Sequence, residues 1–444
     1  MTLSNVAKGA ATSWRVALRH VGFLTVLVFA FAASAFATAC MTDITPPANP
    51  ADSLRFTSMS MLLSTCALDR SGGAWCWGGN SIGVIGDGTT ADRLVPTAVL
   101  PPPGAGTRRY SALSTGLVTC GLAAQRAYCW GENRGGMVGD GTIVPRLIPT
   151  AVVGPNGGPP LAFSAISAGG SSVCGIAGGA AYCWGYNTSG QLGIGVRSDF
   201  SSTPVLVLPP SSGDVKYTSI AVGSGHACAL DTTARAWCWG ERGQGQLGDG
   251  PADGVRLPTR NLPTAVQGPA GGPPLPFNFI VAGSGGTCGI SNTSLYCWGD
   301  KSEGRLAGTP SSTSYNTGLC TSCESYPLLL RGPESATSSF TGVTQVAIGS
   351  NHVCAISLGA LYCWGVNHYG ELGAGAISAD FAPRRVLVPG SAAKPWTAVA
   401  AGVSNSCGIA GETTYCWGQN LTGAVGDGST TPRLAPVRVH GTPP

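Results

Sequence analysis

His226-Ala-Cys-Ala-Leu-Asp-Thr-Thr-Ala-Arg-Ala-Trp-Cys-Trp-Gly-Glu-Arg-Gly-Gln-Gly-Gln-Leu-Gly-Asp-Gly250 is one copy of a unit that recurs seven times in a chain of 444 residues. The invariant part is Cys-Trp-Gly, starting at Cys76, Cys129, Cys183, Cys238, Cys297, Cys363 and Cys416. Nine or ten residues upstream of each stands a second cysteine: Cys66, Cys120, Cys174, Cys228, Cys288, Cys354 and Cys407. A period this regular decides the architecture before any single residue is interpreted. In Cys174-Gly-Ile-Ala-Gly-Gly-Ala-Ala-Tyr-Cys183 a two-residue turn at Gly178-Gly179 sets the cysteines opposite each other on antiparallel strands. The ten-residue spacings, Cys66/Cys76 and Cys228/Cys238, belong to the two copies reading Cys-Ala-Leu-Asp, and a three-residue turn absorbs their extra residue. Opposed cysteines lie within reach of a cross-strand disulfide. Free cysteines buried in a reduced protein satisfy the same spacing.

The aromatic residues keep the strand period of two. Trp77, Trp130, Trp184, Trp239, Trp298, Trp364 and Trp417 follow the second cysteine, and Trp75, Tyr128, Tyr182, Trp237, Tyr296, Tyr362 and Tyr415 precede it. The aromatics thus take one face of the strand and the cysteine the other. Both faces are apolar, so both need covering, which a blade packed between two blades achieves. Each unit opens with a strand such as Tyr217-Thr-Ser-Ile-Ala-Val-Gly223 and continues through the two cysteine strands and a glycine-rich turn. It closes with a Pro-led strand such as Pro96-Thr-Ala-Val99 or Pro263-Thr-Ala-Val266. Four short strands in each of seven units predict an all-β, seven-bladed β-propeller over 55–444. The last strand, Pro436 to Val439, is expected to pair with the Phe56–Leu62 region or to complete that blade.

The N-terminus has a different character. Lys8, Arg15 and Arg19 precede a nearly continuous apolar run from Val21 to Phe36, and small residues follow in Ala37-Thr38-Ala39-Cys40. This is the form of a secretory signal over 1–39. The end of the run resembles the lipobox of bacterial lipoproteins, in which the cysteine is acylated and becomes the new N-terminus, although Ala37 stands where leucine is usual. An ordinary signal peptide cut nearby is the next reading, and a permanent membrane helix the third, since the run is near the lower limit for spanning. Residues 40–54, with Pro46, Pro47 and Pro50, read as an extended tether. The chain has 17 cysteines: seven repeat pairs use 14, Cys320-Thr-Ser-Cys323 uses two, and Cys40 is left at the position of lipid attachment. An even set in an exported chain reads as a disulfide framework. Removing Lys8, Arg15 and Arg19 from 25 basic residues leaves 22 against 21 acidic. A body so close to neutral, without a basic run, argues against nucleic acid as a partner.

The pattern aromatic-x-x-Ile-x-x-Gly, His-x-Cys-x-Leu, Cys-Trp-Gly, Gly-Gln-Leu-Gly resembles the repeat of the regulator of chromosome condensation family. Successive Cys-Trp-Gly starts lie 53, 54, 55, 59, 66 and 53 residues apart. The resemblance implies the propeller fold and no single activity, because one scaffold carries unrelated functions. The family's nuclear exchange role does not suit an exported, disulfide-rich chain. Its exported bacterial member that inhibits β-lactamases through one face implies instead a binding platform.

The search for chemistry is largely negative. Gly-Lys-Ser/Thr and His-Glu-x-x-His are absent. His226 and His352 occupy one repeat slot, filled elsewhere by Ser64, Val118, Ser172, Gly286 and Asn405. Such variation within one chain marks a structural position. Asp87, Asp140, Asp249 and Asp427 sit in Gly-Asp-Gly without the alternating carboxylates that calcium loops need, so they read as turn residues. No metal and no cofactor are expected. One period is stretched by an insertion at about 301–340 that carries Cys320 and Cys323, read as a local staple, together with Tyr315, Glu324, Tyr326 and Arg331. Long loops on rigid scaffolds make contacts, and Tyr and Arg are favoured anchors. The sequence therefore points to a monomeric, exported, lipid-anchored scaffold. It would bind an unknown protein or envelope macromolecule through loops on one face, at the outer membrane or cell surface, or alternatively in the periplasm or medium. A hydrolase or lyase site at the central channel is a second expectation, and an envelope structural or adhesion role a third.

Overall fold

A computed structural model describes residues 54–101, 109–250, 259–306, 323–333, 339–378, 380–390 and 394–442. The segments expected to be a signal and a tether, with Cys40, lie outside the described residues up to residue 53, as do Tyr315 and Cys320.

The described chain forms seven four-stranded antiparallel sheets, each built from four consecutive strands. Blade 1 comprises β1 (Phe56–Met61), β2 (Ser64–Asp69), β3 (Ala74–Gly78) and β4 (Arg93–Ala98). Blades 2 to 7 span Ala112–Ala151, Phe163–Leu206, Tyr217–Ala265, Phe279–Leu329, Val343–Val386 and Trp396–Arg438. The first strands of successive blades neighbour one another around the axis, and that of blade 7 (Trp396–Ala401) lies beside β1. The fold is the expected seven-bladed propeller.

All seven repeat cysteine pairs are disulfides, each between directly opposed residues with Cα atoms 4.1 Å apart. That separation is typical of the closer, non-hydrogen-bonded sites of an antiparallel pair, where side chains meet most readily. In chain-entropy terms each loop contributes roughly 2–3 kcal/mol. In the Cys-Ala-Leu-Asp copies the aspartate builds the longer turn. Asp69 accepts hydrogen bonds from the Ser71 and Gly73 amides, and the Trp75 indole donates to it at 2.8 Å. Asp231 does the same with Thr233, Arg235 and Trp237.

The core lies between blades. Each tryptophan that follows a second cysteine is completely buried and packs on the aromatic residue opening its own blade, from Phe56–Trp77 at 5.6 Å to Tyr217–Trp239 at 6.3 Å between ring centres. Its indole N–H crosses the junction and donates to a carbonyl in the preceding blade's glycine-rich turn. These bonds run from Trp130 to Val84 (2.9 Å), Trp184 to Met137 (2.9 Å), Trp239 to Gln191 (2.9 Å) and Trp298 to Gln246 (3.0 Å). Trp364 to Arg305 (2.8 Å) and Trp417 to Glu371 (2.7 Å) continue the series. Trp77 to Ala424 (3.1 Å) links blade 1 to blade 7. Buried amphipathic rings thus find their polar partner across each seam.

That last bond bears on closure, where the expectation fails. Pro436 lies in the outer strand of blade 7 (Arg433–Arg438), which pairs with Thr413–Gly418 of its own blade and not with the first blade. The described ring begins on an inner strand and ends on an outer one, so each blade is complete from contiguous chain and no strand remains to be exchanged. Side chains and short backbone contacts close the ring: Thr65 Oγ1 donates to the Ala424 carbonyl (3.1 Å), Leu54 N–H to Gly441 (2.8 Å), and Arg55 pairs with Glu412 (2.7 Å).

The outer strands also begin earlier than a Pro-led reading places them. Pro96 is the fourth residue of β4, and Pro149, Pro204, Pro263, Pro327, Pro383 and Pro436 also lie inside their strands. The pairing of the third and outer strands is irregular beside every Cys-Trp-Gly. Proline without an N–H, together with a bulge, blunts the exposed edge of each blade against strand addition.

Candidate interaction face

Strand direction sorts the loops. The ends of the inner strands and the glycine-rich turns lie on one face, termed the turn face. The hairpin turns within each cysteine pair and the connectors between blades lie on the other.

At the centre of the turn face the inner strands converge on an opening of about 70 Å³, lined by residues that include Met61, Thr115, Gly169, Gly223, Ser284 and Ile348. Glycine is required here by close approach. A methyl group on Gly116, Gly169, Gly223 or Gly349 would strike the carbonyl of Gly169, Gly223, Gly283 or Gly402 in the next blade. Backbone bonds tie the rim together, including Ser224 N–H to Gly283 (3.2 Å) and Val403 N–H to Leu62 (3.1 Å). The lining consists of glycine, alanine, serine, threonine and aliphatic residues, without a carboxylate or histidine.

His226 and His352 lie between blades, not in the opening. His226 Nε2 is 2.9 Å from Thr287 Oγ1 in the next blade, and Thr287 donates its proton to the Gln246 carbonyl at 2.8 Å. The imidazole is therefore the donor at Nε2, and its Nδ1 is bare and without a partner. His352 repeats this with Ser406 (2.8 Å) and the Glu371 carbonyl (3.0 Å). Burial pulls both imidazoles down to about 4, with Arg305 adding to the effect on His352. Both histidines are thereby committed to blade junctions.

The Gly-Asp-Gly aspartates are paired with arginines. Arg146 meets Asp140 at 2.6 Å and Arg433 meets Asp427 at 2.6 Å, while Arg93 pairs with Asp87. Asp249 sits between Arg242 (2.6 Å) and Arg260 (2.8 Å). Burial opposes the ionisation of Asp140, but hydrogen bonds from Thr142 and Arg146 outweigh it and hold the carboxyl below its usual range. Asp87 and Asp427 behave alike. Among the described residues no group of His, Cys, Asp and Glu is arranged to hold a metal ion. Sequence reasoning missed these arginines, although each stands six residues after its aspartate at 87/93, 140/146 and 427/433. It also missed the asparagine after Cys-Trp-Gly-x. Asn80 is buried, holds the Ile85 N–H with its carbonyl (3.0 Å), and donates to the carbonyls of Thr89 and Ala91, both at 3.0 Å. Asn133, Asn187, Asn367 and Asn420 hold their own turns in the same way.

The insertion is divided by a strand. Cys323–Leu329 is the outer strand of blade 5, pairing Glu324 with Gly299 and Leu329 with Tyr296. Glu324 and Tyr326 therefore stand on a strand, not a loop. Tyr326 is half-buried against Gly250 and Gly271, where a methyl group on either would come within 3.1–3.2 Å of its hydroxyl oxygen. Ser325 accepts the Gly250 N–H at 3.1 Å. Arg331 is exposed beyond the other end of the strand and bridges to Ser339. Glu324 and Tyr326 thus join the seam between blades 4 and 5, and Arg331 belongs to the opposite face. Cys323 is disulfide-bonded.

Models of the regulator of chromosome condensation (RCC1) repeat match residues 126–176, 178–230 and 359–409, and a second model of that repeat matches 217–246. The chain is 26% identical over 363 residues to the ultraviolet-B receptor UVR8 of Arabidopsis thaliana, covering 79% of this chain and 73% of the receptor. It is 28% identical over 383 residues to the human E3 ubiquitin-protein ligase HERC2, covering 83% of this chain but 7% of the ligase. Human WBSCR16 superposes with a TM-score of 0.68 at 17% identity, covering 83% of this chain and 94% of that one. Prp20p of Saccharomyces cerevisiae, whose structure was described with its binding to Gsp1p and histones, superposes with a TM-score of 0.65 at 21% identity over 87% of both chains.

Proposed function

We propose that this chain of regulator of chromosome condensation repeats, closed into a seven-bladed ring, is a rigid scaffold that binds another protein through loops on its turn face. The observation that carries this reading is the contrast between seams and loops. A tryptophan–carbonyl bond recurs at all seven junctions and a disulfide in every blade, while the residues exposed on the turns differ from blade to blade. A fixed frame with variable loops lowers the ordering cost of association. That Prp20p binds Gsp1p and histones supports protein recognition by this fold, without naming a partner here. The neutral body speaks against nucleic acid. In this reading the 1–39 segment directs export and Cys40 carries the lipid. The oxidised cysteine pairs suit an oxidising compartment such as the cell envelope or the medium.

A photo-reactive amino acid placed at Leu421 on the turn face, and in a separate protein at Leu358 on the connector face, tests this reading. Each bait is cross-linked in native envelope and culture supernatant, and captured proteins are re-made and titrated against the full chain. Saturable binding by a protein captured only from Leu421 supports the turn face. Capture only from Leu358 moves the contact to the other face, and no saturable partner from either position overturns the scaffold reading.

A further inference from the structure

We infer that a pocket on the connector face, between the blade 1 hairpin and the connector into blade 2, binds a ligand with a guanidinium at one end and a carboxylate at the other. That is the chemistry of free arginine or of a chain that ends in arginine. The pocket lies on the face opposite the proposed protein contact, so the inference goes beyond that reading and does not depend on it.

Two blades of this chain carry the same hairpin, and the comparison between them isolates the pocket. Asp69-Arg-Ser-Gly-Gly-Ala-Trp75 corresponds to Asp231-Thr-Thr-Ala-Arg-Ala-Trp237. In both, the aspartate accepts the indole N–H at 2.8 Å and binds the turn amides. In both, one backbone bond of 2.8 Å ties the connector to the turn, Tyr110 N–H to Gly72 and Phe277 N–H to Ala234. The other five blades have tyrosine in place of the tryptophan and no aspartate at this point of the turn. The two hairpins differ where blade 4 has Arg235 and blade 1 has Gly73. The Arg235 guanidinium carbon lies 4.9 Å from the centre of the Trp237 ring. Beneath it Trp237 is 5% exposed. The hollow beside that hairpin, about 250 Å³, is lined by Thr233, Arg235 and Pro274-Leu275-Pro276 and reaches neither the ring nor Asp231. In blade 1, with glycine there, Trp75 is left half-buried, and together with Asp69 it lines a pocket of about 370 Å³.

Blade 4 thus shows what an indole held in this way accepts: a guanidinium over its face, attracted by the electron-rich ring. Blade 1 presents the corresponding ring to solvent, with an anion beside it. Burial opposes the ionisation of Asp69, but hydrogen bonds from Ser71, Trp75 and Gly73 outweigh it and hold the carboxyl below its usual range. Among the described residues its Oδ2 accepts the Trp75 indole N–H alone, which leaves a lone pair for a second donor.

Arg109 sets the other end of the ligand. Its exposed side chain lines the pocket and forms no ion pair or hydrogen bond among the described residues, Asp69 included. The matching place in blade 4, before the bonded aromatic, is Pro276. A ligand that brought only a cation would be repelled by Arg109, whereas a carboxylate a few bonds away pairs with it. Asp69 and Arg109 are the charged groups of the lining, so one molecule of both signs satisfies both. The volume lies above the roughly 300 Å³ at which pockets for small molecules begin, and suits a ligand of amino-acid size.

Isothermal titration of the full chain tests this with L-arginine, the dipeptide Ala-Arg, the amide of each and the citrulline analogue of each. The amides lack the carboxylate, and the citrulline analogues keep the shape but lack the cation. Arginine or Ala-Arg should bind saturably, and the matching amide and citrulline analogue about tenfold more weakly, as loss of one charge-assisted contact predicts. Tighter binding of arginine supports the pocket as a site for the free amino acid, and tighter binding of Ala-Arg supports it as a site for a chain end. Arg109→Ala should bring acid and amide within about twofold of each other. Gly73→Arg, which supplies the guanidinium that blade 4 carries, should abolish binding. Its side chain must pass Asp69 Oδ2, 2.5 Å from where its Cβ would stand, so its melting temperature is checked. If that variant unfolds the hairpin, Arg109→Ala decides the matter, because the exposed side chain it removes has no partner in the fold. No saturable binding of arginine or Ala-Arg, equal binding of the citrulline analogues, or an acid-to-amide ratio unmoved by Arg109→Ala overturns the inference. None of these outcomes touches the turn-face reading, which the cross-linking decides separately.

Discussion

Lowering the pH from 7 to 4 should weaken this ring at two seams. His226 and His352 titrate near 4 in the folded chain, against 6.5 when exposed. The unfolded chain therefore takes up protons that the folded chain refuses. The stability held by each neutral imidazole is intact above about pH 6.5, falls as the pH drops towards 4, and is flat below. A shift of about 2.5 units at 1.36 kcal/mol per unit is worth about 3 kcal/mol per histidine. Two such losses, about 6 kcal/mol, are a large part of the 5–15 kcal/mol typical of a domain. The structural cause is that a second proton on either ring must sit at Nδ1, which faces no acceptor, and at His352 it would also meet the Arg305 cation. The aspartates act lower. Asp69, Asp87, Asp140, Asp231 and Asp427 are all held below their ordinary 3.8, so the stability they add is lost only as the pH falls below about 4. The assay is urea unfolding, followed by tryptophan fluorescence with disulfides intact, at half-unit steps from pH 7 to 4. The native chain is compared with His226→Gln/His352→Gln. The native midpoint should fall between pH 6.5 and 4.5, and the double variant should be nearly flat there. A native midpoint that does not move across this window, or a double variant with the same slope, would refute the reasoning.

Glu371 occupies the place that Gln191 and Gln246 take in blades 3 and 4, is 2% exposed, and is raised above its usual carboxyl range by burial. The ionised carboxylate therefore costs stability at neutral pH, and Glu371→Gln should raise the melting temperature at pH 7 by a few degrees, with the gain shrinking as the pH falls through the carboxyl range. Gly169→Ala should destabilise by about 1–3 kcal/mol, because its methyl group has no room before the Gly223 carbonyl; the same change at the exposed Gly243, which has no neighbour within 4 Å, should be much milder in the same melts. Alkylating the unfolded, unreduced chain should label essentially none of the 14 repeat cysteines, and mass spectrometry showing most of them modified would contradict the oxidised framework.

Much of the blade was legible because its determinants are local. The Cys174–Cys183 spacing and the Gly178-Gly179 turn name a hairpin, and the alternation Tyr182-Cys183-Trp184 assigns its faces. The Asp140–Arg146 pair was equally local and simply went unread. The insertion misled because length was taken for irregularity: Pro327 stands in Cys323–Leu329 as Pro263 stands in Arg260–Ala265, and pairing with Ser294–Asp300 makes it a strand.

By itself, the sequence determined the number of blades, the strand order within each, the cysteine partners and the burial of the tryptophans, since all of these follow from periods of two and of about 54 residues that neighbouring side chains enforce. Only the tertiary structure decided how the ends meet, which carbonyl each indole finds, why two histidines are driven neutral, and where a cleft remains. Those properties belong to the seams, where residues as remote as Thr65 and Ala424, or Leu63 and Leu421, share one space. A repeat pattern describes each blade against itself. The contact between the last blade and the first depends on closing the circle, which no single repeat describes.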